Sequence, residues 1–252
     1  MNYSGADTAT ALVAWGNAWL AGHVGLDEAV DAVEKISGPQ ILSTSPGESP
    51  LRRGLGELRV SGMTALRLAL PAPGDPLGLT GPPGLNRAAI EAEAAVIVTL
   101  PDRSVGLVPA EDRRGSSYVG VLWNAQDANP GAPDVPTLAE ADRLLTLAMR
   151  DATEALLTVD DVSGVSPEIA DALADLRDRG EHPLAPGYPP RAHRVAALAG
   201  RLSIVVDLAH QLDARGLTAD QMQRRAEALR LLDGAIRRAL VAACNSAFDP
   251  VP

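Results

Sequence analysis

The stretch that decides the fold is residues 191–215, which read RAHRVAALAGRLSIVVDLAHQLDAR. Its apolar residues recur every three or four positions, which places them on one face of a helix. These residues are Val195, Leu198, Leu202, Val205, Ala209 and Leu212. Residues 204–206 are apolar on nearly every side of the helix, so we expect its middle to be covered by more than one neighbour.

A second long helix is predicted directly after this one. Gly216 supplies a stop, and Thr218 with Gln221 forms a capping box that opens the next helix. Two long helices joined by a short connection pack as antiparallel neighbours. A further capping box, Thr137 with Glu140, opens a helix that extends to about residue 159. The C-terminal half is therefore predicted to be an antiparallel helical bundle.

One shorter helix is predicted between these long ones. Ser166 and Pro167 are typical of a helix start, and Gly180 marks its end. The four prolines of residues 181–190 then require an extended connection.

The N-terminal half combines helical and strand patterns. Residues 7–22 and 27–36 predict a helical hairpin, residues 38–49 a connection without periodicity, and residues 50–62 another helix. Alternating segments predict four strands, mainly antiparallel, at residues 64–70, 95–100, 104–108 and 117–124.

These patterns predict an α+β protein. It comprises an N-terminal helical hairpin and a roughly four-stranded, mainly antiparallel sheet, followed by a C-terminal antiparallel helical bundle. Residues 125–136 are rich in Asn, Pro, Gly and Asp, which favours a boundary there. We predict an α+β domain over residues 1–132 and a helical domain over residues 133–252, either separate or packed as one unit.

Composition restricts the partners and the compartment. A net charge of −10 opposes binding to nucleic acid, because clustered cations must neutralise the phosphates. No apolar run approaches the length of a membrane span, and the N-terminus has no signal-peptide pattern. We therefore expect a cytoplasmic protein that binds neither nucleic acid nor membrane. Cys244, the single cysteine, lies in an apolar helical stripe and is expected to be a buried filler.

The loop at residues 71–84, PAPGDPLGLTGPPG, is the first candidate ligand site. Glycine backbones before a helix N-terminus can bind an anion through unpaired N–H groups, and the contacts here would be Asp75, Gly78 and Gly81. Against this, the five prolines lack N–H donors, and neither a Walker lysine nor GxGxxG spacing is present. A rigid turn that reverses the chain is the competing interpretation, with Asp75 as a turn former.

The charged segment at residues 111–115 is the second candidate. Arg113 or Arg114 could lie beside Trp123 at one end of the sheet and hold a carboxylate or phosphate. The competing interpretation is a compact charged turn between two strands, whose exposed ion pairs contribute about 1 kcal/mol or less.

No grouping of residues predicts catalysis, a metal or a cofactor. Asp207 and His210 share a helix face, but a metal site or triad needs further groups that the sequence does not identify. The GxSxG, HExxH and CxxC motifs are all absent.

Three motifs together resemble an uncharacterised protein family of GC-rich actinobacteria. They are WLAG at residues 19–22, GDPLGLTGP at residues 74–82 and PPRAHR at residues 189–194. The resemblance implies no substrate and no catalytic residues.

We predict a non-enzymatic protein that acts through contacts with another protein or with copies of itself. The alternative is a binding protein or enzyme for a small carboxylate or phosphate, with a site between sheet and helices that uses Asp75, Arg113 and Trp123.

Overall fold

The computed structural model describes residues 4–44, 47–114, 118–131, 133–159, 184–211 and 218–248. The chain forms two compact units. Unit 1 contains Met1–Val135, Leu184–Pro189 and Cys244–Pro252, and unit 2 contains Pro136–Pro183 and Pro190–Ala243.

Unit 1 is built on a six-stranded mixed sheet with the strand order β2-β1-β6-β5-β4-β3. Neighbouring strands are antiparallel except β1 and β6, which are parallel. The elements are α1 (Gly5–Leu20), α2 (Leu26–Ser37), β1 (Gln40–Thr44), β2 (Gly47–Pro50), α3 (Leu51–Val60), β3 (Ala65–Ala69), α4 (Pro83–Glu91), β4 (Ala95–Thr99), β5 (Ser104–Arg114) and β6 (Tyr118–Ala128). The α+β class is thus confirmed, whereas the prediction of four strands is wrong.

The two strands missed by the sequence, β1 and β2, lie in the segment predicted to be a connection. In β1 the buried positions are Gln40 and Leu42, so the strand has no apolar alternation to detect. Gln40 is buried because its Oε1 accepts a hydrogen bond from Trp123 Nε1 (2.8 Å). Strand β2 lies at the sheet edge and is largely exposed.

The hairpin of β5 and β6 is longer than predicted. Arg113 and Arg114 pair with Val119 and Tyr118, so they belong to β5 and not to a compact turn. The pairing continues at the other end to Ser104 and Ala128.

Helices cover both faces of the sheet near β3, β4 and β5. On one face α1 packs so closely that a Cβ on Gly16 would overlap the Leu66 side chain. On the other face Leu85 and Ala89 of α4 join a buried cluster with Ala69, Ile97 and Val108. Burial of each leucine stabilises the folded state by roughly 2 kcal/mol. These two apolar layers, one on each face of the sheet, form the core of unit 1.

The edge strand β3 is closed by two asparagine side chains. Asn17 of α1 donates to Leu66 O (2.7 Å) and accepts from Leu66 N–H (2.9 Å). Asn245 donates to Leu68 O (3.2 Å) and accepts from Leu68 N–H (2.8 Å). Each amide therefore replaces one residue of a neighbouring strand, and the edge has no unpaired polar groups at these positions.

Unit 2 contains α5 (Leu138–Val159), α6 (Pro190–Gln211) and most of α7 (Ala219–Asn245), which is followed by a short 3-10 turn (Ser246–Phe248). Both predicted capping boxes are present: Thr137 N–H donates to Glu140 Oε2 (3.0 Å), and Thr218 N–H donates to Gln221 Oε1 (2.9 Å). That the helices form an antiparallel bundle stays a prediction.

Side-chain contacts join successive helices within unit 2. Asp142 of α5 forms ion pairs with Arg191 (2.9 Å) and Arg194 (3.3 Å) of α6. Arg225 of α7 donates to Ala209 O of α6 (2.6 Å).

The middle of α6 is partly exposed. Val206 is buried, but Ile204 and Val205 are each 39% exposed. That more than one neighbour covers the middle of α6 stays a prediction. The helix predicted at residues 166–180, and also Leu212 and Gly216, lie outside the described residues. Within the described chain, every helix is too short or too polar to cross a membrane.

Candidate functional site

A pocket of about 320 Å³ lies in unit 1 at the end of the sheet where β4 turns into β5. Its walls come from β3, from the loop after β3, from the β4–β5 hairpin and from the residues after β6. The polar side chains that line it are Arg67, Thr80, Thr99, Asp102, Arg103 and Ser104.

Strand register explains why distant residues share this pocket. Arg67 pairs with Ile97, and Thr99 pairs with Ser104. Paired residues point to the same side of a sheet, as do residues two apart in one strand. Arg67, Thr99 and Ser104 thus lie on the α4 face, beside the cluster that contains Ile97.

The loop after β3 is fastened to the chain after β6. Thr80 Oγ1 donates to Asn129 O, and Asn129 Nδ2 donates to Thr80 O (both 2.9 Å). Asn129 N–H also donates to Gly81 O (3.0 Å). Two walls of the pocket are therefore held together by hydrogen bonds.

Two of the three loop residues proposed from sequence lie at or near this pocket. Gly78 lines it, and its φ of 85° and its approach to Ala69 leave no room for a Cβ (2.7 Å to Ala69 Cα). Gly81 has a φ of 90° and packs against Asn129. Asp75 lies in a tight turn, where its backbone N–H and C=O both pair with Ala72.

The remaining sequence candidates lie elsewhere in the sheet. Arg113 pairs with Glu111 (2.8 Å), and Arg114 pairs with Glu48 (2.7 Å) and Asp112 (2.8 Å). These carboxylates raise the pKa of both guanidinium groups, chiefly through hydrogen bonds.

Trp123 is fully buried and lies opposite Pro109, four positions along β6 from the partner of Arg113. That offset amounts to roughly 13 Å of strand. The structure therefore brings neither arginine beside Trp123, and it places both at the opposite end of β5 from Ser104 and the pocket.

Sequence reasoning did not select the two pocket arginines. Arg67 lies in the strand predicted at residues 64–70, and Arg103 lies in the turn between the strands predicted at residues 95–100 and 104–108. A usable signal was the pattern of hydroxyl residues on both sides of that turn, with Thr99 before it and Ser104 after it.

Other chemically reactive groups do not gather in the described part of the chain. Cys244 is fully buried, as predicted, and burial raises the pKa of its thiol to about 12. Burial also raises the pKa of Tyr188, whose hydroxyl donates to Cys244 O (2.9 Å). Among the described residues, no three His, Cys, Asp or Glu side chains lie close enough together to hold a metal ion.

Unit 2 carries most of the exposed large apolar side chains. Eight such side chains occur among the described residues, and two of them, Val60 and Val119, lie in unit 1. The other six lie on the three described helices of unit 2: Leu144, Leu147, Ile204, Val205, Met222 and Leu231.

Comparison with known proteins gives two family matches that together span most of the chain. The model of the N-terminal domain of the Rv1486c-like protein matches residues 9–140, and that of its C-terminal domain matches residues 139–241. "Uncharacterized protein ML1804" of Mycobacterium leprae (strain TN) is 27% identical, over 93% of this chain and 95% of the relative. "Uncharacterized protein Rv1486c" of Mycobacterium tuberculosis (strain ATCC 25618 / H37Rv) is 26% identical, over 92% and 94%. No solved structure matches this chain.

Proposed function

We propose that this chain, which belongs to the Rv1486c-like protein family, is a non-enzymatic protein that acts through contacts of its helical unit with a second copy of itself. Membership confirms the resemblance to an uncharacterised actinobacterial family. The names of these relatives state no activity, so the proposal depends on the surface of unit 2.

The observation that carries the proposal is the concentration of exposed apolar side chains in unit 2. Single exposed leucines are ordinary, but among the described residues unit 2 has six exposed large apolar side chains and unit 1 has two. Burial of these side chains in an interface would stabilise the dimer by about 25 cal/mol for each Å² of apolar surface removed from water. On α5, Leu144 (47% exposed) and Leu147 (51% exposed) are three positions apart and share one face.

A second copy is the partner that we favour. Closed symmetric homo-oligomers are the commonest assemblies of soluble proteins, and their two-fold contacts use the same surface on both subunits. Around Leu144 and Leu147, α5 carries both signs of charge, with Glu140 and Asp151 beside Arg143 and Arg150. A mixed surface allows opposite charges to meet across a two-fold axis.

Sedimentation velocity tests the proposal. We expect the wild-type chain to sediment as a dimer at micromolar concentration, and Leu147→Glu to sediment as a monomer with unchanged helical circular dichroism. Val60→Glu is the matched control, because Val60 is 90% exposed on α3 of unit 1. It should remain a dimer.

Salt dependence gives a second measurement. The net charge of −10 on each copy opposes association at long range, and salt screens this repulsion. Added salt should therefore tighten the dimer. A wild-type monomer at every protein and salt concentration would refute the proposal, as would a Leu147→Glu dimer as tight as the wild type.

A further inference from the structure

We propose that the pocket between Arg67 and Arg103 in unit 1 is a binding site for a small organic anion. The ligand class is a metabolite-sized molecule that carries a phosphate or carboxylate group together with a hydroxyl or amino group. This site is separate from the surface of unit 2 and does not depend on it.

Charge is the first argument. Among the described residues, the pocket is lined by two arginines and one aspartate, a local excess of one positive charge in a chain whose net charge is −10. Arginine offers several N–H donors in a planar fork that matches the oxygens of carboxylate and phosphate groups. A positive recess on an acidic protein attracts small anions selectively.

The hydroxyl groups are the second argument. Thr80, Thr99 and Ser104 line the same space as the two arginines. A hydroxyl can donate to an anionic oxygen and also accept from another group. The guanidinium groups and the hydroxyls of Thr99 and Ser104 supply donors from two of the four walls, β3 and the β4–β5 hairpin. The Thr80 hydroxyl, which donates to Asn129 O, adds an acceptor from the loop after β3.

Size and the single carboxylate define the rest of the ligand. A volume of about 320 Å³ lies at the small end of ligand pockets, which suits a compact metabolite. Asp102 at the β4–β5 turn accepts hydrogen bonds and repels a second anionic group. It therefore favours a ligand with a hydroxyl or amino group distant from its acid group.

The walls are formed before any ligand arrives. Gly78 lets the loop after β3 lie directly against Ala69, and the hydrogen bonds between Thr80 and Asn129 join this loop to the residues after β6. Such preorganisation lowers the entropic cost of binding.

Isothermal titration calorimetry with four probes tests the inference: inorganic phosphate, glycerol phosphate, glycerate and neutral glycerol. We expect heat from at least one anion that has a hydroxyl group, binding that weakens with added salt, and no heat from glycerol. A stronger response to glycerol phosphate assigns the acid group as phosphate, and a stronger response to glycerate assigns it as carboxylate. No heat from any anion, or equal heat from glycerol, would overturn the inference.

Substitutions locate the site. Arg103→Gln removes an exposed cation and should weaken binding by about tenfold or more, the effect of losing a charged hydrogen bond. Thr99→Val keeps the shape of the side chain and should cost a smaller factor. Arg53→Gln on α3, 74% exposed and away from the pocket, is the matched control and should bind as the wild type does.

Two results would contradict the location. The first is wild-type affinity in both Arg103→Gln and Thr99→Val. The second is an equal loss in Arg113→Gln, which would move the site to the other end of β5. Calorimetry on the wild-type chain and on the substituted chains does not depend on the oligomeric state, so it tests this inference separately from the proposed self-association.

Discussion

Replacement of Asn245 by alanine should destabilise unit 1 through the edge strand β3. Asn245 is 7% exposed and makes two hydrogen bonds to the backbone of Leu68, 177 positions away in the chain. Alanine at this position would leave the Leu68 N–H and C=O without partners in a buried place.

The magnitude follows from the cost of unpaired buried groups. Each unsatisfied donor or acceptor costs about 1–3 kcal/mol, so two cost roughly 2–6 kcal/mol. Entry of water beside Leu68 would reduce this, and we expect a loss of about 3 kcal/mol in the free energy of unfolding of unit 1.

Urea unfolding followed by tryptophan fluorescence measures this loss in the correct unit. All three tryptophans, Trp15, Trp19 and Trp123, lie in unit 1, so their signal follows the unfolding of that unit. The control is Asn124→Ala in β6, which removes a half-buried asparagine that is away from the sheet edge and should cost less than about 1 kcal/mol.

Hydrogen exchange distinguishes a lost edge contact from general loosening. In Asn245→Ala the Leu68 amide should exchange faster, while the Leu66 amide keeps its protection because Asn17 still accepts its hydrogen bond. A loss below about 0.5 kcal/mol with an unchanged Leu68 amide would refute the reasoning.

Two further predictions concern titratable groups. The Thr137 N–H and hydroxyl donate to the Glu140 carboxylate, and these hydrogen bonds lower the pKa of that carboxyl. The carboxylate therefore stabilises α5 fully at pH values above the ordinary glutamate pKa. This stabilisation is lost as the pH falls through the lowered pKa. An NMR titration should place the midpoint of Glu140 below that of an unperturbed glutamate, and Glu140→Gln should keep the cap but remove the pH dependence of the stability of α5. Burial raises the pKa of the Cys244 thiol to about 12, so at mildly alkaline pH a thiol reagent should label Cys244 only as fast as the chain opens. Rapid labelling of the native protein would contradict this prediction.

Local patterns predicted the elements whose cause is local. The capping boxes at Thr137 and Thr218 form as predicted because their hydrogen bonds span only three residues. Strand β3 was also predicted, because Leu66 and Leu68 face the α1 layer while Arg67 faces the other way.

Strand β1 was not predicted from the sequence, because its place in the sheet depends on a partner strand that is distant along the chain. It pairs in parallel with residues of β6 about eighty positions later, and its buried Gln40 is polar because it accepts from Trp123. An alternation rule expects an apolar residue at such a position and therefore indicates a loop.

The candidate pocket could not be predicted from the sequence for a related reason. Arg67 and Arg103 are separated by 35 intervening residues, and nothing in either neighbourhood indicates that they face the same space. Their common location follows from the register of β3 on β4 and of β4 on β5. Because a slip of one residue would turn Arg67 to the α1 face, the site exists only with this register. Leu66 and Leu68, whose burial against α1 fixes the register of β3, therefore also fix the pocket, although neither of them lines it.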